Sequence, residues 1–364
     1  MKILLLSPYH AHSHKRWCEG LIRYFSEHKW HLLTLPPRFF NWRIRGNSLT
    51  WATEEREALN QNYDLVVATS MTDLNGLYGF IPNLQSIPSI LYFHENQFAY
   101  PLTTEARENI EPKLVPVYAA LCADKLCFNS QYNYQTFFQG LRDLMARLPD
   151  GVPQDLCRQL EKKSIVLPVP LVSPDADKSG YKRTKFTIVW NHRWEYDKWP
   201  ESFFKALLLL KNRRLDFQVH VIGQQFRKMP DIFESAKQDL AEYIVSWGRV
   251  EDEGDYQKIL RESHVVVSTA LHDFQGLSVL EAVMNGAIPV VPARLSYVEL
   301  FDEEYCYKSY SEDLSEQSIV LADRLNELIE LYNDDCLPSV PDLSPLSWES
   351  LKESYRSAME SVTS

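Results

Sequence analysis

The chain has 364 residues, 45% of them hydrophobic and 24% charged, with a formal net charge of −11. That length and balance suit two globular domains, each burying its own core, and exclude a low-complexity or fibrous chain. The acidity argues against a general nucleic-acid binder but leaves room for a local basic patch, because phosphate contacts need cationic surface only where they form.

The chain opens on Met1, Lys2, Ile3, Leu4, Leu5, Leu6 and Ser7, an apolar stretch too short for a secretion signal and suited to a first buried strand. No run approaches the roughly 18 apolar residues needed to cross a bilayer, so no membrane partner is expected. Cys18, Cys122, Cys127, Cys157, Cys306 and Cys336 form no CxxC pair and no zinc spacing. Reduced core thiols and a cytoplasmic location are the expectation.

Apolar runs at 2–7, 30–35, 65–68, 89–93 and 125–129 alternate with helix-period segments at 15–28, 48–60, 113–123 and 131–148. Ser130 is a natural N-cap for the last of these. Between the second strand and the second helix, residues 38–45 read as a polar loop in which Arg38, Arg43 and Arg45 interleave with Phe39, Phe40 and Trp42. The pattern stops near 168, and prolines, aspartates and Gly180 suggest a linker over 168–184. Strands are then expected at 186–191, 218–222, 244–247, 264–269 and 288–292, helices at 200–213, 231–243, 252–262 and 277–285, and a last helix over 348–361. Near-continuous apolar strands separated by helices imply parallel sheets covered on both faces. The expected division is 1–167, a linker, 185–345 and a terminal segment 346–364: an α/β chain of two doubly wound domains facing a cleft.

The stretch from Ser268 to Ala282 carries the most chemistry. A strand ends at Thr269, a loop holds Asp273, Phe274 and Gln275, and a helix opens near Leu277. Unpaired N–H groups and the positive end of the helix dipole make such a start suited to a diphosphate. Gly276 permits close approach, Ser278 adds a hydroxyl, and Asp273 and Glu281 can accept hydrogen bonds from sugar and ribose hydroxyls. The alternative is an ordinary strand-loop-helix with a solvated aspartate. Arg193 and Lys198, in the loop after the first strand of the second half, can neutralise a departing diphosphate or be two solvated cations. His94 ends a first-half strand and can hydrogen-bond donor or acceptor, with Glu95 orienting it, or simply cap the strand. Phe98 stands where a zinc HExxH helix needs histidine, so no metal is expected. Gly223, Gly248, Arg249 and Val250 either border a nucleotide or form plain turns. His12, Ser13, His14 and Lys15 either touch a ligand or begin a helix.

These motifs as a set resemble the retaining GT-B glycosyltransferases of family 4. The similarity covers roughly 186–300: the restart at Phe186, the Arg193/Lys198 pair, and the acidic-x7-Glu element from Asp273 to Glu281 closing in Gly286, Ala287, Ile288, Pro289, Val290 and Val291. Asp273 stands where that family usually has glutamate. The resemblance implies a GT-B fold, a nucleotide-sugar donor, Glu281 on the ribose, and neither metal nor cofactor. Ser13-His14-Lys15, Asn41-Trp42-Arg43-Ile44-Arg45, the run from Tyr92 through His94, Glu95 and Asn96 to Gln97, Phe128-Asn129-Ser130 and Asn191-His192-Arg193-Trp194-Glu195 narrow it. They are similar to the tRNA-queuosine alpha-mannosyltransferase family, which usually has a glycine pair where this chain has Ala11-His12. That similarity implies GDP-mannose as donor and the cyclopentenediol of queuosine at the wobble position of tRNA-Asp as acceptor. It implies a catalytic set of His94, Arg193, Lys198 and Asp273, with residues 12–15, 38–45 and 95–97 toward the tRNA. The rivals are a GT-B enzyme with a small carbohydrate or lipid acceptor, a silent tRNA- or nucleotide-binding protein, and a sugar-nucleotide epimerase.

Overall fold

The computed structural model describes residues 1–100, 110–153, 155–173, 185–226 and 229–363. Residues 174–184 of the expected linker lie outside the described residues. The chain divides into two compact units, Met1–Pro170 with Leu346–Ser364, and Leu171–Pro345.

The first unit runs β1 (Lys2–Ser7), α1 (His12–Tyr24), β2 (Lys29–Thr34), α2 (Phe40–Glu54), α3 (Arg56–Leu59), β3 (Leu65–Thr69), α4 (Leu74–Phe80), β4 (Ser89–Phe93), α5 (Glu111–Cys122), β5 (Lys125–Phe128), α6 (Gln131–Arg147), α7 (Leu156–Glu161) and β6 (Ser164–Val166). Its sheet has the order β2-β1-β3-β4-β5-β6, every pair parallel. β3 and β4 are buried along their whole length, which is why they read as unbroken apolar runs. Leu91, Phe93, Leu126 and Phe128 pack with Phe137, Phe138 and Leu141 of α6. Ser130 does cap α6, its side chain accepting from the Asn133 N–H.

The second unit runs β7 (Thr187–Asn191), α8 (Pro200–Asn212), β8 (Gln218–Ile222), α9 (Ile232–Asp239), β9 (Ile244–Gly248), α10 (Glu253–Glu262), β10 (Val265–Val267), α11 (Leu277–Met284), β11 (Ile288–Pro292), α12 (Tyr297–Leu300), β12 (Cys306–Tyr307) and α13 (Leu314–Asn333). Its order is β12-β11-β10-β7-β8-β9, again all parallel. The terminal helix α14 (Trp348–Thr363) belongs to the first unit. There Trp348 stacks on Tyr24, and a Cβ on Gly20 would meet the Trp348 ring at 2.1 Å. Tyr355 receives the Trp17 indole N–H and lies 3.1 Å from the Tyr92 hydroxyl. Among the described residues no helix is long and apolar enough to cross a membrane.

The main departure from the sequence reading is α2. Residues 38–45 are not a loop, since the helix begins at Phe40 and runs to Glu54, where Glu55 (φ −119°, ψ 21°) separates it from α3. The expected helix at 48–60 is therefore broken. Tertiary bonds hold α2: buried Asn47 donates to Met71 O and accepts from the Asp73 N–H, and the Asp73 carboxylate caps α4 through the Gly76 N–H. The helix buries Arg43, Ile44, Gly46, Asn47 and Ser48 and leaves Trp42 exposed, so it shows no regular apolar stripe. The helices α4 and α13 and the edge strands β6 and β12 were not anticipated.

Candidate active site

Strand order in the second unit reverses between β7 and β10, which are neighbours. In open parallel sheets such a switch point parts the outgoing loops and leaves a ligand-sized crevice at the carboxyl ends of the strands. The loop after β7 carries Asn191 to Trp199 and the loop after β10 carries Ser268 to Gly276, so the two informative stretches meet there. Two hydrogen bonds join them: Leu271 N donates to Asp197 O at 2.8 Å, and the Thr269 hydroxyl donates to Lys198 O at 2.7 Å.

Lys198 is buried at this junction. Its ammonium lies 2.7 Å from His272 O, 3.2 Å from Asp273 Oδ2 and 3.4 Å from Asp197 Oδ2. Arg193 is half-exposed and pairs with Glu195 at 2.5 Å and Asp197 at 3.5 Å. Both expected cations are thus present and already opposed by carboxylates. Asp197, which the sequence reading passed over, sits between them; its spacing of four from Arg193 and one from Lys198 was the available signal.

Asp273 accepts from the Gly276 N–H with Oδ1 at 3.0 Å and from Lys198 with Oδ2, while the Tyr297 hydroxyl is 3.4 Å away. Burial opposes its charge, but Lys198 and then His192 outweigh that and hold the carboxyl below its ordinary range. Its first duty is to pin the turn that opens α11. Gly276 takes φ 71°, and a Cβ there would stand 2.7 Å from the Tyr297 ring. The helix beyond it has no acidic residue in its first turn. Phe274 and Gln275 are buried and Leu277 half-buried.

The His192 Nε2–H donates to Val267 O at 3.1 Å, leaving Nδ1 to accept from the Ser278 hydroxyl at 3.3 Å. Burial, then Lys198, lowers its pKa to about 4, and the same two causes bring His272 to about 4. Glu281 accepts from the Tyr256 hydroxyl at 2.9 Å, and Asn191 Nδ2 donates to that hydroxyl at 3.1 Å and to Ser278 O at 2.8 Å. Tyr256 and Asn191 therefore fix the carboxylate; nothing in the sequence marked Tyr256. Gly223 takes φ 151°, where a Cβ would overlap His192 O at 1.8 Å. Its absent side chain serves backbone packing. Gly248 takes φ 102° beside Gln225, Arg249 pairs with Glu251 at 3.0 Å, and Val250 is half-buried.

In the first unit, His12, Ser13, His14 and Lys15 form the first turn of α1, with His14 buried and Lys15 paired to Glu19 at 3.7 Å. The His94 ring is buried against His14 (4.3 Å), Tyr92 (4.7 Å) and Trp17 (4.8 Å). Burial, then His14, holds His94 well below its ordinary pKa, so it is neutral at pH 7. Glu95 does not orient His94; its carboxylate reaches His14 Nε2 at 3.6 Å instead, because α1 lies over this end of the sheet. Asn96 is engaged within the fold: Nδ2 donates to Asn133 and Thr136, and Oδ1 accepts from the Phe98 and Ala99 N–H groups. Gln97 is half-buried. Of the basic residues near α2, Arg38 is exposed, Arg43 is buried, and Arg45 pairs with Asp73 at 3.1 Å and Glu111 at 3.7 Å. Among the described residues no group of three His, Cys, Asp or Glu stands in position to hold a metal ion.

Residues 2–171 match the family model described as tRNA-queuosine alpha-mannosyltransferase N-terminal, and residues 185–330 match glycosyl transferases group 1. The chain is 30% identical over 322 residues to tRNA-queuosine alpha-mannosyltransferase of Drosophila melanogaster, covering 84% of this chain and 83% of that one. Its structure resembles sucrose-phosphate synthase from Thermosynechococcus elongatus, with TM-score 0.71 and 13% identity over 99% of this chain and all of that one (100%). It also resembles the pneumococcal O-GlcNAc transferase GtfA, solved with UDP and GlcNAc, at TM-score 0.62 and 16% identity over 84% of this chain. The chain spans 58% of the length of that longer protein. The structural likenesses carry the GT-B fold alone. With both halves matched and a relative covered over most of its length, the chain belongs to the tRNA-queuosine alpha-mannosyltransferase family, as a glycosyltransferase of GT-B fold.

Proposed function

We propose that the protein moves mannose from GDP-mannose, with retention of configuration, to the cyclopentenediol of queuosine at the wobble position of tRNA-Asp, using neither metal nor cofactor, in the cytoplasm. The observation that supports the donor chemistry is the junction of the β7 and β10 loops, where Lys198 pairs with Asp273, the residue that pins the start of α11, and Arg193 pairs with the adjoining Asp197. The diphosphate takes the N–H groups of Leu277 and Ser278, as anions do at helix starts, while the Gly276 N–H stays on Asp273. Glu281, fixed by Tyr256, takes the ribose hydroxyls. Gly223, Gly248, Arg249, Val250, Phe274 and Gln275 border the nucleotide. Asp273 acts by positioning Lys198 and the Gly276 turn.

In the step itself the bond from the mannose anomeric carbon to the β-phosphate oxygen breaks, and a bond from that carbon to the acceptor oxygen forms on the same face. The acceptor proton passes to a phosphate oxygen of the leaving GDP. Arg193 and Lys198 oppose the charge that develops there, which requires Arg193 to turn from Glu195 toward the phosphate. His94, uncharged at neutral pH, offers a hydrogen bond to substrate rather than a charge. His12, Ser13, His14, Lys15, Glu95 and Gln97 are proposed toward the acceptor.

The test is incubation with labelled GDP-mannose and tRNA-Asp that carries or lacks queuosine. Label on the queuosine-containing tRNA alone is the expected result. Label on both tRNAs, or transfer from a uridine-diphosphate sugar instead, would overturn the acceptor or the donor assignment respectively.

A further inference from the structure

We infer that Arg38, Phe39 and Trp42, at the entry to α2, form a stacking platform for unpaired bases of the RNA acceptor; the inference rests on the proposal that the acceptor is a tRNA. Phe39 adopts φ 56°, ψ 56°, a left-handed conformation that a bulky residue takes only where its surroundings impose it. Even so Phe39 is 70% exposed, and Trp42, one helical turn on, is 54% exposed. Folding alone gains nothing from two large rings held in water. The Trp42 and Arg43 N–H groups both donate to Phe39 O, at 3.0 and 2.8 Å, which ties the two rings to one turn. A Cβ at Gly46 would lie 2.5 Å from the Trp42 ring, so the glycine lets the indole rest against the helix while Trp42 stays more than half exposed.

The surrounding charge suits RNA. The Arg38 guanidinium lies 5.5 Å from the Phe39 ring centroid, placing a cation beside the exposed ring. Neither α2 nor α1 has an acidic residue in its first turn, and Tyr9, before α1, packs edge-on against Phe40. The structure also removes two candidates. Arg43 is buried and Arg45 is held by Asp73 and Glu111, so neither belongs to the platform. Separate rings with a cation beside them match the π-faces and phosphates of a single strand, whereas a protein partner would be met by a continuous apolar face.

The full-length protein is assayed with queuosine-containing tRNA-Asp and, separately, with the queuosine nucleoside. Phe39→Ala and Trp42→Ala should each raise the KM for tRNA by about 5- to 100-fold, the usual scale of one lost base stack. The KM for the nucleoside should be unmoved, and Phe39→Tyr and Trp42→Phe should restore most of the tRNA affinity. Arg38→Ala should weaken tRNA binding and reduce its dependence on salt. An unchanged KM for tRNA in both alanine variants overturns the platform, as does an equal loss on the nucleoside. Failure of the wild-type protein to modify this tRNA defeats the acceptor proposal itself, which is a different result.

Discussion

Lys198→Met keeps the apolar stem of the side chain and removes its charge. The side chain is 8% exposed and its ammonium faces Asp273 at 3.2 Å and Asp197 at 3.4 Å, so two aspartate side chains of 18% and 6% exposure lose their compensating cation. Breaking a buried pair from one side costs about 3–5 kcal/mol of stability. Losing one electrostatic contact to the leaving group costs about 3 kcal/mol of barrier, roughly 150-fold in turnover. Both should fall together in this variant. Arg193→Ala should separate them: its side chain is 47% exposed, so its ion pairs are worth at most about 1 kcal/mol, while turnover should still drop by about 100- to 1,000-fold. The pH dependence carries a sign. Asp273 is held below its ordinary range, so its stabilisation is present above the unfolded value near 4 and is lost as pH falls through the lower folded value. The gap in stability between wild type and Lys198→Met should therefore be widest at neutral pH and close in acid. Denaturant melts at several pH values and single-turnover transfer at saturating substrates measure both quantities. A Lys198→Met protein that melts with wild type at pH 7, or an Arg193→Ala protein within threefold of wild-type turnover, would refute the reasoning.

Tyr256→Phe deletes the hydroxyl that fixes Glu281 and should weaken GDP binding by about tenfold with little change in kcat, since a hydrogen bond to a charged group is worth about 1.5–3 kcal/mol. Calorimetry with GDP checks it, and wild-type affinity would strike Glu281 from the ribose contact. Gly276→Ala forces a Cβ to within 2.7 Å of Tyr297 at φ 71° and should cost about 1–3 kcal/mol while abolishing GDP uptake. A stable variant that binds GDP normally would contradict that. His192, His220 and His272 are held at about 4 by burial, and His94 is well below its usual value. The unfolded chain takes up these protons below about pH 6.5 and the folded one does not, so stability should fall on acidification from 6.5 toward 4, by about 1.4 kcal/mol per unit for each histidine. A denaturation midpoint that stays level from pH 7 to 5 would dismiss this account.

The apolar runs at β1, β3, β4, β7 and β11 were enough to read two parallel sheets, because a strand buried on both faces has to be apolar throughout. The loop between β10 and α11 was legible for a related reason. A strand end (at Val267, two residues before the expected Thr269), a glycine and a helix start form a local sequence of events, and local propensity acts over three or four residues. The start of α2 at Phe40 was not legible, since the contacts that hold the helix run from Asn47 to Met71 and Asp73 rather than along an apolar stripe. Nor was the link from Tyr256 to Glu281, or the choice of His14 over His94 as the partner of Glu95. The Ser130 cap of α6 follows from neighbours along the chain, whereas pairing between a cation and a carboxylate follows from which strands lie side by side. Strand order belongs to the sheet as a whole, and only the folded chain brings Lys198, Asp197 and Asp273 to one point.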